Sequence, residues 1–340
     1  MSAERDLLAV ARRDEAALSG FQCYAQVFAG LSLYLYGAVS TPGYLSVLLA
    51  LPLTALLFFL CSSGPDRPSR LYLLPGLVSL MDAQMALCAL CAVIADVLPD
   101  ISNYWGALAA AAALGASLCG VGPHALPRLA RLLIFTFLPL GALCLLGVRG
   151  HGKISHFFPL LGSGPLSILR GAMWMAGAAA GAFCPVMAQK SAPEKKGLIR
   201  PLTAALLLGA LTAAVSAYLM PFYALALPHT LGWRLLLVAH MTPSVPVWSL
   251  SVFAVMMGLT LSAAAGVDRA QRLLCRALGR PRAPWPVTVL LILLLIPAAA
   301  IGTEEALDAL VWLGPLRFPL MAAAFLGLRF LKRRDAACGG

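Results

Sequence analysis

Apolar residues run through this chain in long unbroken blocks, with short polar or basic connections between them. Runs of about 17 to 25 apolar residues are long enough to cross a hydrocarbon core as helices. Ten such runs predict transmembrane helices over 18–38, 44–62, 71–97, 104–122, 130–148, 169–188, 201–226, 246–266, 286–302 and 311–331. No connection is long or polar enough to separate domains, so residues 1–340 are expected to form one polytopic membrane domain, all-α in class. The first sixteen residues are charged, and the run that follows is of span length without a small-residue cleavage site. The first span is therefore expected to act as its own insertion signal.

Composition agrees: 61% of the 340 residues are apolar and 11% charged, with a mean hydropathy of +0.87, far from the values of soluble domains. The net charge of +11 would suit nucleic acid, but the placement of the basic residues points to membrane orientation instead. With the N-terminus in the cytoplasm and ten crossings, twenty of the twenty-five Lys and Arg residues fall inside. Only Arg149, Lys153, Arg170, Arg234 and Arg317 are left outside or at the outer interface. That bias is the positive-inside rule, and it puts both termini in the cytoplasm, with membrane lipid as a partner and nucleic acid excluded. The cytoplasmic stretch "DRAQRLLCRALGRPRAP" reads either as an amphipathic helix with its arginines on anionic headgroups or as a solvated charge run.

Enzyme signatures are missing from the sequence. There is no GxSxG, HExxH or GxxxxGK[ST], and His124, His151, His156, His229 and His240 are scattered, so no catalytic residue, metal or cofactor is expected. Most of the nine cysteines lie inside apolar runs and read as small hydrophobes, Cys88 and Cys91 included.

What chemistry there is lies within the spans. The first span carries Gly30 and Ser32 near its centre, with Gln22, Gln26, Tyr34 and Tyr36 on the same segment. A glycine there lets backbone leave the helix and offer amides and carbonyls to a cavity; close helix packing is the plainer role. In the sixth span Gly177 and Gly181 form GxxxG, flanked by Gly171 and Pro185. First and sixth spans correspond in a five-plus-five arrangement, and glycine-interrupted segments at matched positions point to a midplane binding site. Asp82 is the one carboxylate deep in a span, with no Lys or Arg standing out as its partner. It reads as a proton-coupling group or as a neutral acid bonded to another helix. Thr260 and Ser262 in the eighth span are candidates for holding a sodium ion, or for bonding their own helix.

The stretch "HFFPLLGSGPLSILRGAMW" resembles the segment before the sixth span of spore germination permeases, the GerAB-type B-subunits of nutrient germinant receptors. Pro159, Gly162, Gly164, Ile168, Leu169, Arg170 and Gly171 carry the likeness. "LSGFQCYAQVFAGLSLYLYGAVSTPGYLSVLLA" is similar to that family's first two spans. The resemblance implies membership of the amino acid, polyamine and organocation transporter superfamily, and with it a LeuT-like five-plus-five inverted repeat with broken helices 1 and 6. It also implies A- and C-type receptor subunits as partners in a spore inner membrane. The implied site for a small solute such as an amino acid comprises Gln26, Ala29, Gly30, Leu31, Ser32 and Tyr34 from the first span, facing Gly177, Ala178, Ala180 and Gly181 from the sixth. Asp82, Thr260 and Ser262 stand beside it as coupling or gating residues. A secondary amino-acid transporter coupled to sodium or protons, and a structural subunit with a degenerate pocket, are the alternatives.

Overall fold

A computed structural model of the chain describes residues 2–33, 43–61, 68–97, 125–147, 152–158, 164–188, 195–219, 245–280 and 303–338. The predicted spans at 104–122 and 286–302, together with Tyr34, Pro159 and Gly162, lie outside the described residues.

The described residues form helices only: α1 (Ser2–Leu33), α2 (Gly43–Leu60), α3 (Leu73–Val97), α4 (Ala125–Gly147), α5 (Pro165–Gly181), α6 (Cys184–Ala188), α7 (Lys195–Leu219), α8 (Val245–Ala277) and α9 (Thr303–Cys338). Among them, four stretches are long and apolar enough to cross a membrane: Arg70–Leu90, Lys196–Val215, Val252–Ala277 and Gly314–Lys332; Tyr44–Leu60 is a shorter apolar helix. Exposed leucines and phenylalanines lie along α2 (Leu48, Leu49, Leu56, Phe59), α7 (Leu207, Leu208, Leu211) and α9 (Leu316, Leu326, Phe330). Outward apolar faces over spanning segments are what a hydrocarbon solvent requires, and the chain is an integral membrane protein.

Helices α1 and α5 hold the centre. α1 packs on α3, α4, α5, α7 and α8, while α5 packs on α1, α2, α3 and α9. From Gly171 to Gly181, α5 is buried at every residue but Met173, and most of those residues are glycine or alanine. A helix apolar all round belongs inside a bundle, and small residues let its neighbours approach closely.

Local chemistry sets the ends of α5. Gly164 stands before it at φ +109°, a conformation that suits glycine, and Pro165 opens the first turn, where its missing N–H is of no consequence. At the other end the helix stops at Gly181, passes through a turn at Ala182 and Phe183, and resumes as α6. Pro185 explains the stop: it has no N–H to give the Gly181 carbonyl four residues back. The sixth span is thus interrupted. The first, by contrast, continues as helix through Gly30 to Leu33, so within the described residues the expected break there is corrected to an unbroken helix.

One further expectation changes in part. From Asp268 to Ala277 the basic stretch is neither a separate helix nor a solvated run, whereas Leu278, Gly279 and Arg280 are exposed. It continues α8 inward, with Arg269 buried, Arg272 paired to Asp268 (2.6 Å) and Glu15 (3.7 Å), and the Arg276 guanidinium 4.8 Å from the Tyr72 ring centroid. In α1, Glu15 pairs with Arg272 and Asp14 with Arg131 of α4 (3.3 Å).

Candidate functional site: a buried charged layer

Asp82 of α3 has a partner. Its Oδ1 accepts a hydrogen bond from Arg317 Nη1 at 2.5 Å, and both side chains are fully buried. Arg317 had been expected outside or at the outer interface; its side chain is fully buried within the bundle, because α9 carries it against α3 and α5. Its other two nitrogens donate to backbone: Nε to the Gly314 carbonyl (3.2 Å) and Nη2 to the Trp174 carbonyl (3.4 Å). The guanidinium also stacks on the Trp174 ring, 4.6 Å from its centroid, where the π face attracts a cation. Among the described residues Asp82 Oδ2 has no hydrogen-bond partner.

The glycines are what let these groups meet. A Cβ at Gly181 would overlap Asp82 Oδ2, and one at Gly177 would lie 3.0 Å from Arg317 Cβ and 3.1 Å from the Gly314 carbonyl oxygen. A Cβ at Gly30 or at Gly314 would overlap the Trp174 indole from one side or the other. The space opposite each glycine is therefore filled by the protein's own tryptophan, arginine and aspartate.

A second buried arginine holds the break in the sixth span. Arg269 of α8 donates from Nη1 to the Gly181 carbonyl (3.3 Å) and to Gln22 Oε1, and from Nη2 to Ser19 Oγ (3.0 Å). A cation on the open carbonyl end of a helix supplies the missing donor and suits the helix dipole. Beside it, Gln26 Nε2 donates to the Asp82 carbonyl (2.6 Å) and to Ser262 Oγ (3.2 Å). Ser79 Oγ donates to Cys184 Sγ (3.2 Å) at the start of α6. Gln22 Nε2, Gln26 Oε1 and Arg269 Nε are left without partners, as is Asp82 Oδ2, so the layer is only partly satisfied.

Of the residues singled out in the sequence, the structure brings Gln26, Asp82, Gly177, Gly181 and Ser262 to this layer and sets Gly30 against its tryptophan. Ala178 and Ala180 are buried on α5 in the apolar core. Ala29, Leu31 and Ser32 lie within the α1 helix. Thr260 is apart: it donates to the Met256 carbonyl of its own helix (2.8 Å). Trp174, Arg269 and Arg317 were not singled out. The one signal for the arginines was that an isolated charge needs a counterion, and Asp82 lacked one. Among the described residues no group of three His, Cys, Asp or Glu side chains is placed to hold a metal ion.

The described helices, one of them interrupted, surround this buried charged layer. The chain is similar in structure to a manganese transporter of Eremococcus coleocola. In complex with an aromatic bis-isothiourea substituted compound, that protein matches at a TM-score of 0.52 and 16% identity, over 95% of this chain and 78% of the other. Two of its mutants, one histidine-to-alanine and one glutamate-to-alanine, match at TM-scores of 0.56 and 0.55, with 15% and 16% identity, each over 94% of this chain and 77% of the other. No family model matches the chain, and no curated protein matches its sequence.

Proposed function

We propose that this protein is a permease-like membrane subunit that binds a small solute such as an amino acid within a ten-helix, LeuT-like five-plus-five bundle. In this reading it is the nutrient-sensing B-type subunit of a spore germinant receptor. It works with A- and C-type subunits in a bacterial inner membrane, and both termini are cytoplasmic.

The observation that carries the solute-binding part is the partly satisfied charged layer at the break of the sixth span. Charged groups inside a membrane are expensive and mark ligand or ion pathways. A layer serving packing alone is better replaced by apolar side chains, which fill the same volume without desolvating charge. The receptor assignment rests on the motif resemblance around Gly164 to Gly171. A solute acts here by its differential affinity for two arrangements of the helices, which a partner then reads.

Melting of the purified protein in detergent across amino acids, nucleosides, sugars and amines tests the reading. Solute at about 100 times its Kd adds roughly 2.7 kcal/mol to the folded state, enough for a clear rise in Tm. A selective rise supports solute binding; no rise with any solute favours a structural subunit whose interior is filled by its own side chains. Co-purification with A- and C-type subunits tests the receptor assignment. The transporter fold and the buried Asp82 favour a second reading, a secondary transporter coupled to protons or sodium. Solute accumulation in proteoliposomes, driven by an ion gradient, decides for it.

A further inference from the structure

We infer that the Arg317 guanidinium is a tethered occupant of a cation-recognition cage, and that the solute admitted to this cage carries a guanidinium or amine group. The inference rests on the solute-binding reading above and names the chemical class of the solute.

The groups that hold the guanidinium favour positive charge. The Asp82 carboxylate, the face of the Trp174 ring and the carbonyls of Trp174 and Gly314 are all acceptors or electron-rich surfaces. The tethered group does not saturate the cage. Arg317 reaches Oδ1 of Asp82 through one nitrogen, and Oδ2 faces Gly181 with no donor, although it is fully buried. A free guanidinium can pair with both oxygens at once through two parallel N–H groups, whereas Arg317 has its Nε and Nη2 turned to the Gly314 and Trp174 carbonyls.

Arg317 sits in a proline-flanked segment. Pro315 and Pro319 flank it within α9, and each lacks the N–H that would bond the carbonyl four residues earlier, so the helix is short of hydrogen bonds on both sides of the arginine. The space around Asp82 is already filled by Arg317, Trp174 and Gly181. An arriving cation must therefore displace Arg317, and with it this part of α9, linking occupancy to the position of one helix.

The test uses the full chain in detergent. Arg317→Ala empties the cage, and n-propylguanidinium should then raise Tm by several degrees. The neutral isostere n-propylurea should leave it unchanged, and adding Asp82→Asn should abolish the rise. Equal rises with both compounds mean cavity filling only and overturn the inference. Should Arg317→Ala not fold, melting of the unmodified protein with agmatine decides. A rise in Tm supports the cage. A rise with neutral or acidic solutes and none with agmatine overturns the cation assignment while leaving solute binding intact, and no rise with any solute removes both.

Discussion

Trp174 lies with one side of its indole on Gly30 and another on Gly314, its ring against a guanidinium. Neither glycine has room for a methyl group, so Gly30→Ala and Gly314→Ala should each destabilise the protein by about 1–3 kcal/mol, the usual effect of overpacking. Denaturation in detergent checks this, and a smaller residue at position 174 should relieve the Gly30→Ala defect. Glycine spacing in the sequence indicated close approach at Gly30, Gly177 and Gly181. It could not say what approaches, because the three partners come from the third, sixth and tenth spans and no local spacing links them. The charge pair was half legible for the same reason: Asp82 stood out, whereas Arg317 looked like an interface residue near the start of the last span.

The interrupted sixth span follows from one missing N–H and one added cation. Pro185 leaves the Gly181 carbonyl open, and Arg269 closes it from α8 while also gripping Ser19 and Gln22 on α1. Arg269→Ala should leave that carbonyl and the α1 side chains without donors. The loss of about 1–3 kcal/mol per buried group should lower amide-exchange protection of the turn and α6 tenfold or more. Pro185→Ala should act the opposite way, returning an N–H to Gly181 and raising protection from Phe183 to Met187. Exchange measured by mass spectrometry separates the two variants. The proline and glycines of this span announced an interruption in the sequence. The clamp did not announce itself, because an arginine in a basic stretch reads as solvated until the helix that carries it is known to continue inward.

For the whole molecule, hydropathy and charge already indicated a helical membrane protein, since a hydrocarbon solvent leaves few other solutions for such a chain. Helix α1 illustrates what escapes that reading: its Asp14 and Glu15 pair with Arg131 and Arg272 of neighbouring helices, a tertiary contact that periodicity does not encode. Orientation is the prediction proper to this scale. Lys196→Cys should react with an impermeant maleimide only from the cytoplasmic side, above the background of the parent protein; labelling from outside contradicts the basic-loop topology. The central claim is that Asp82 and Arg317 form one buried unit at the heart of the fold, and a double-mutant cycle in detergent tests it most directly. Asp82→Asn and Arg317→Met should each cost about 3–5 kcal/mol, and the double variant little more than either single, giving a coupling energy above about 2 kcal/mol. Additive losses, with coupling near zero, would contradict the pairing and the site built on it.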